Sequence, residues 1–439
     1  MGISLQPPSS AFAFLRSSGV VKIGTPSASM HFFSLRSLNP SISQHLRSSL
    51  HTASAVLREE GDGDGGDGTV TVETVLQNAI SEFKRRDVEE PELSAQWLMA
   101  KILDCGYSLS AVRSHGRRRL SLAESSAFYE LCQRRNRHEP IQYIVGEWDF
   151  FNLQLSLRPP VLIPRPETEE LVELFLARCK VAIAELREGG SRRRLRILDI
   201  GAGTGAIGLA LAQSLGDSCH VDAIDISPEA VALAKENAKA CLGPSRVKLK
   251  EEFPSREGGL NGEEEVFESS DGGTYRVGLA SVLLFPQALS RSEEAELPWG
   301  NYDLIVSNPP YIPSADLDGL HEQVTDFEDL LALDGGTEGL RVIWEILAVS
   351  PLVLSSSSSG GCREVWMEVD ASHPEALQAV LGGNSDGGGG EMKRSGGGSS
   401  SLLLQSVPSE VSRRGVRLKR WMKDLSGNPR FVVFSIPDR

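Results

Sequence analysis

The hydrophobic rhythm of the chain changes twice. Between residues 70 and 142 apolar positions recur at three- and four-residue spacing without strand-like runs, which predicts a small helical bundle domain. In ELSAQWLMAKIL the stripe is Leu93, Trp97, Ala100 and the residues from Lys101 to Leu103, and Pro91 suits the first turn of that helix. Residues 143–164 alternate apolar with polar positions, as in FFNLQLSLRPPVLIP, and predict a β-hairpin leading to the next domain. From 165 short apolar runs alternate with helical segments: LRILDIGAG, AIGLALAQSL, HVDAIDIS, PEAVALAKENAKA and RVKLKE, then YDLIVSNPPY, GLRVIWEILAV and REVWMEV. That alternation predicts an α/β domain over 165–439, built on a doubly wound parallel sheet. A short helix is expected after Pro374, and two strands around a Ser-Gly-Asn turn near the end of the sequence.

Two stretches interrupt the rhythm. Residues 252–298, with EGGLNGEEE and ESSDGGTY, read as an inserted and mostly disordered loop. Residues 382–401 are nearly all glycine and serine, a composition that cannot pack a core.

Composition narrows the class further. A chain of 439 residues has room for more than one unit at ~100–200 residues each. It has no run of about 18 apolar residues, so no membrane span is expected. Six scattered cysteines, with no Cys-x-x-Cys pair and no His at ligand spacing, read as reduced thiols, and no metal site is expected. Residues 1–58 contain no Asp or Glu, five basic residues (Arg16, Lys22, Arg36, Arg47, Arg58) and fourteen serines, the composition of an organelle transit peptide. Arginines set among Phe, Leu and Ser favour a mitochondrion, with a plastid as the alternative. Residues 59–69, including GDGDGGDG, then form a linker. Removing 1–58 deletes five positive charges and no negative ones, taking the formal charge from -14 to -19. So acidic a chain is a poor match for bulk nucleic acid.

The chemistry is concentrated in two places. Asp199, Gly201, Ala202, Gly203, Thr204 and Gly205 join the first strand of the α/β domain to a helix, where glycines admit a ligand close to helix N-terminal amides. Asp225 ends the next strand, where a carboxylate can accept both hydroxyls of a ribose; Ser227 is the better cap for the helix at Pro228. Because Gly201, Gly203 and Ala206 also satisfy a dinucleotide fingerprint, this loop alone leaves a nicotinamide or flavin open.

Asn308, Pro309, Pro310 and Tyr311 follow the fourth strand, at the carboxyl edge where ligands bind. The prolines bias the turn to an extended, rigid form that can hold the Asn308 side-chain oxygen and the Pro309 carbonyl as acceptors. Two fixed acceptors suit a planar NH2 group, whose nitrogen they orient for attack on an electrophilic methyl, and Tyr311 can stack on the same group. No metal or strong base is needed for that chemistry.

Asp-x-Gly-x-Gly-x-Gly with Asn-Pro-Pro-Tyr resembles the S-adenosylmethionine-dependent amino-group methyltransferases. RRNRHEPIQYIVGEWDFFNLQLSLRPPVLIPRPETEELV (134–172) and FEDLLALDGGTEGLRVI (327–343) are similar to the hallmarks of the HemK/PrmC family, which methylates the glutamine amide in the Gly-Gly-Gln motif of peptide chain release factors. The resemblance covers about residues 70–436. It implies a Rossmann-like, seven-stranded methyltransferase domain preceded by a helical domain that recognises the release factor. It further implies that S-adenosylmethionine is held by the glycine loop, by Asp225 at the ribose and by Asn308 near the methyl, with Asn308, Pro309, Pro310 and Tyr311 on the glutamine. Arg165, Glu167 and Thr168 of PRPETE match the family signature, and line the pocket or hold the Asn308 loop; the bland reading of them is a salt bridge and a helix cap. After the third strand the family carries an acidic-aromatic pair against the adenine. Here Glu252 and Phe253 match that pair best, with the stretch around Phe285 as the alternative. Asp329 stands where the family usually has proline. The resemblance implies the release factor as partner, and a monomer is expected; the competing expectations are methylation of an exocyclic amino group on DNA or RNA, and a catalytically silent scaffold.

Overall fold

The structure is a computed structural model, describing residues 70–243, 266–279, 302–356, 362–382 and 407–438. The expected transit peptide and linker lie outside these residues, as do RVKLKE, Phe253, the stretch around Phe285 and nearly all of the Gly/Ser segment.

Residues 70–145 are helical: α1 (Val72–Arg85), α2 (Pro91–Leu103), α3 (Leu109–Ser114), α4 (Leu122–Arg135) and α5 (Ile141–Val145). Pro91 does stand in the first turn of α2, and Ser121 with Glu124 closes a capping box on α4. The buried surface of α2 is broader than the expected stripe, which shares Ala100 with it. Leu93 and Trp97 are only half-buried, whereas Ala95, Leu98, Met99 and Ala100 are at most 1% exposed. The reason is that α2 packs against α1, α3, α4 and α5 at once, so its polar-looking flank is also covered.

The hairpin is β1 (Glu147–Phe150) with β2 (Leu153–Ser156), paired antiparallel. Trp148 meets Trp97 edge to face at 4.9 Å, and Tyr143 Oη donates to the Val161 carbonyl at 2.7 Å. Next comes α6 (Pro166–Glu188), whose first turn carries the PRPETE residues.

The α/β part continues with β3 (Leu195–Ile200), α7 (Ala206–Leu215), β4 (Cys219–Asp225), α8 (Pro228–Leu242), β5 (Val266–Glu268), β6 (Thr274–Leu279) and β7 (Leu304–Ser307). Then follow α9 (Glu322–Thr325), α10 (Arg341–Val353), β8 (Glu364–Glu368), α11 (His373–Leu381), α12 (Ser409–Arg413), β9 (Arg417–Lys423) and β10 (Pro429–Ser435). The sheet order is β5-β6-β4-β3-β7-β8-β10-β9, with the five strands from β6 to β8 parallel and the outer pairings antiparallel. Alternate residues of each inner strand serve opposite faces. Ile197 packs with α6, α7 and α8 through Phe175, Leu209 and Ala234, while Leu198 packs with α10 through Ile343 and Leu347.

This is the expected Rossmann-like arrangement with one correction. Of the stretch expected to be an inserted loop, residues 266–279 are two strands, and β6 rather than RVKLKE pairs in parallel with β4. The Asp271-Gly272-Gly273 turn between them is integral. A Cβ on Gly273 would meet the Ala212 carbonyl at 2.0 Å, and Asp217 N donates to Asp271 O at 2.8 Å. Tyr275 and Val277 alternate into the core. The eighth strand, β5, extends the seven at one edge.

Candidate functional site

Strand order reverses between β3 and β7, and the two strands end side by side: Ile200 pairs with Ser307, and the Ser307 hydroxyl donates to the Ile200 carbonyl at 2.6 Å. At such a switch point the loops after neighbouring strands part and leave a crevice. The glycine loop and the Asn308 tetrapeptide therefore face one another, with a Cβ on Gly201 reaching to 3.7 Å from the Asn308 carbonyl.

Gly201, Gly203 and Gly205 adopt φ values of +79°, +54° and +85°, a left-handed backbone that side-chain-bearing residues rarely enter. Gly203 N donates to Asp225 Oδ2 at 2.8 Å and Ser227 N to Oδ1 at 2.9 Å, so the carboxylate is aimed across the loop. Ser227 caps α8, as expected, by accepting from Ala230 N. Burial, ahead of every other influence, raises the Asp225 pKa. Asp199 is fully buried beneath the loop: Oδ2 accepts from Gly208 N at 3.0 Å, while Oδ1 has no partner among the described residues. Burial pushes its pKa up to about 8. Thr204 is buried, with its carbonyl accepting from Asn237 Nδ2 at 2.9 Å, and Ala202 N donates to the Ile224 carbonyl. An open loop of left-handed glycines, a ribose-type acid and an unsatisfied buried carboxylate oxygen together fit S-adenosylmethionine. Phe253 lies outside the described residues, and the strand it was expected to follow is replaced by β6, which ends at Leu279.

On the other wall, Asn308 Nδ2 donates to Thr168 Oγ1 at 3.1 Å, Thr168 Oγ1 donates to Glu368 Oε2 at 2.8 Å, and Tyr311 Oη donates to Glu368 Oε1 at 3.1 Å. Glu368 ends β8 beside Asn308 and is 1% exposed. Burial first, then the nearby Glu368 charge, raises the Tyr311 pKa. Asn308, Pro309, Tyr311 and Arg165 line a single cleft with Leu162, Ile312, Leu320, Val324, Ala332 and Leu333. Pro310 and Glu167 are partly exposed beside it, not among its lining residues.

Arg165 Nη2 donates to Glu328 Oε2 at 2.6 Å, which joins the start of α6 to the FEDLLALDGG segment. That segment in turn straps the tetrapeptide. Ile312 N donates to Leu333 O, Gly335 N to Ile312 O at 2.8 Å, and Ser314 Oγ to Asp334 Oδ1 at 2.6 Å. Asp329 accepts from Leu331 N at 2.9 Å and so caps the turn of one helical period that follows it. A proline there could not make this bond through its side chain.

Sequence reasoning missed Glu368, Glu328 and Asn237. Asn237 is fully buried and bonds both Ser156 N (2.8 Å) and Ser156 O (3.1 Å) as well as Thr204 O, tying the hairpin to the glycine loop. An acid closing the apolar run VWMEV was a readable signal for Glu368; Asn237 sits on a helix with no local sign of its role. Among the described residues no group of three or more His, Cys, Asp or Glu could hold a metal, and no helix is long and apolar enough to cross a membrane.

Two family descriptions match the chain: the PrmC N-terminal domain over residues 74–146, and a methyltransferase domain over 191–252. The chain is 34% identical to the MTRF1L release factor glutamine methyltransferase of Homo sapiens, over 69% of this chain and 77% of that one. It is 32% identical to the release factor glutamine methyltransferase of Geobacter sulfurreducens, over 71% and 87% of the two chains. A solved methyltransferase structure from Pyrococcus furiosus aligns with 66% of this chain and 91% of its own at 15% identity, with a TM-score of 0.32.

Proposed function

The chain belongs to the release factor glutamine methyltransferase family, and from that premise we propose that it methylates the side-chain amide nitrogen of a release factor glutamine at Asn308. S-adenosylmethionine supplies the methyl group on a sulfonium. The observation that carries the reading is the Asn308 amide, which lines the cleft with its Nδ2 committed to Thr168, so that Oδ1 is the end left to accept. An acceptor there takes an N–H of the substrate amide and fixes the nitrogen's direction, the kind of positioning that supplies much of a transfer rate.

Gly201, Gly203, Gly205 and Asp225 are the residues proposed to hold the cofactor, with Asp199 beneath them; the left-handed glycines and the aimed carboxylate support this. Arg165 is proposed to shape the substrate cleft through Glu328. Leu320, Val324 and Leu333 make one side of that cleft apolar, which suits the stem of a glutamine side chain. The helical residues 70–142 are proposed as the part that engages the release factor, which the chain meets as a monomer. The acid-free, serine-rich residues 1–58 support import into an organelle, with a mitochondrion favoured over a plastid.

The test is to incubate the purified protein with methyl-labelled S-adenosylmethionine and either a full-length organellar release factor or total RNA and DNA. Label on the glutamine of the release factor, located by mass spectrometry, is expected. Label in nucleic acid alone would sink the proposal.

A further inference from the structure

We propose that Thr168 and Glu368 are positioning residues that decide which end of the Asn308 amide faces the substrate. The inference rests on the reading of Asn308 as acceptor for the substrate amide and deepens it.

An Asn side chain has an acceptor end and a donor end of nearly the same shape, and can present either. Presenting NH2 to a substrate NH2 would set donor against donor. The chain removes the choice through a directional relay. Glu368, as a carboxylate, only accepts, so the Thr168 hydroxyl at 2.8 Å must point its hydrogen at Oε2. With its one hydrogen spent, Thr168 Oγ1 offers only lone pairs to Asn308 at 3.1 Å, and the Asn308 group facing it must be NH2. The orientation of the amide thus follows from its neighbours and not from its own shape. Oδ1 is turned the other way.

The same carboxylate holds the far end of the tetrapeptide, since its other oxygen accepts from Tyr311 Oη at 3.1 Å. Both Glu368 and Thr168 are at least 97% buried, at 1% and 3% exposure, so water does not compete for these bonds. The fold supplies the geometry. Glu368 follows Met367, which pairs in parallel with Ser307, so the ends of β7 and β8 lie side by side, and Thr168 sits in the first turn of α6 above them. Burial raises the Glu368 pKa, opposed by the two hydroxyl donors and by Arg430, with Glu167 adding to the rise.

The decisive variants are Thr168→Ser, which keeps the hydroxyl, and Thr168→Ala, which differs from it by that one oxygen, each made alone and with Asn308→Ala. Single-turnover methyl transfer from S-adenosylmethionine to full-length release factor is measured, with cofactor affinity by calorimetry and Tm as further readouts. Thr168→Ala is expected to transfer at least tenfold more slowly than Thr168→Ser at comparable Tm, with cofactor affinity within about twofold of wild type. Because Thr168 acts through Asn308, adding Thr168→Ala to Asn308→Ala should slow transfer by no more than about twofold. Equal rates for the Ser and Ala variants, or losses that multiply in the double variant, would overturn the inference while an active wild type left the functional proposal standing. A wild-type protein that labels no release factor would overturn that proposal itself.

Discussion

Arg165→Met tests whether PRPETE works through a buried charge. The Glu328 side chain is 1% exposed and its carboxylate meets Arg165 Nη2 at 2.6 Å, but the arginine side chain remains 34% exposed. Stranding a fully buried partner costs ~3–5 kcal/mol, whereas an exposed pair is worth ~0–1 kcal/mol. With one partner a third open to solvent, the expected loss lies between these, at about 2–3 kcal/mol. Burial raises the Glu328 pKa, and Arg165 is what opposes the rise. Deleting Arg165 therefore lifts it further above its ordinary 4.5. A raised acid favours the fold while protonated and loses that contribution as pH climbs through the folded pKa. The deficit of Arg165→Met should thus be largest at pH 7 and above, and should shrink as pH falls towards 5. Adding Glu328→Gln removes the stranded charge and should restore all but about 1 kcal/mol at pH 7. Denaturant unfolding of the two single variants and the double variant at pH 5, 7 and 8 makes the measurement. If Arg165→Met and the double variant unfold at the same midpoint throughout, Arg165 does not offset the Glu328 charge, and the argument fails.

Three further outcomes follow from the geometry. Gly339→Ala would place a Cβ 2.2 Å from the Tyr311 carbonyl and 2.9 Å from the His373 ring at φ +70°, so it must shift the tetrapeptide; methyl transfer should fall by roughly 10²-fold with cofactor affinity retained, as read by rate assay and calorimetry. Asp199 is pushed up to about 8 from 3.8 by burial, so its neutral form favours the fold and that contribution disappears as pH rises through about 8; the Tm advantage of Asp199→Asn over wild type, without cofactor, should widen between pH 4 and 8. Asn237→Ala strands the Ser156 amide and loosens Thr204, so it should cost about 2 kcal/mol in denaturant unfolding and weaken S-adenosylmethionine binding by calorimetry.

What could be read from the sequence is what is local. The glycine loop, the acid at Asp225 and the Asn-Pro-Pro-Tyr turn each fit within one strand-to-loop junction, and each is where the reading expected it. The helix α2 was read correctly as a helix, but its expected stripe took in only part of the buried surface, because periodicity reports a stripe and says nothing of how many neighbours cover it. The third parallel strand was missed for a related reason. Its turn, Asp271-Gly272-Gly273, has the composition of a loop, and only the close approach of Gly273 to the Ala212 carbonyl shows why glycine is required there.

The contacts that make the junctions into a site span long separations. Thr168 and Glu368 stand 200 residues apart, Arg165 and Glu328 163, and Asn237 lies 81 from Ser156. No window of sequence contains either end of such a pair together with the other. Resemblance offered PRPETE as lining the pocket or holding the Asn308 loop, but did not say that Thr168 supplies the hydroxyl behind Asn308, nor that FEDLLALDGG supplies the strap beneath Ile312. Asp329 is instructive in the same way. As a departure from proline it had no reading in the sequence; in the structure it caps the turn Leu330–Ala332 through its own carboxylate and donates its backbone N–H to the Pro160 carbonyl at 2.8 Å, a bond proline lacks the hydrogen to make. The aspartate therefore adds a tie between the strap and the segment leading into α6 that a proline could not make.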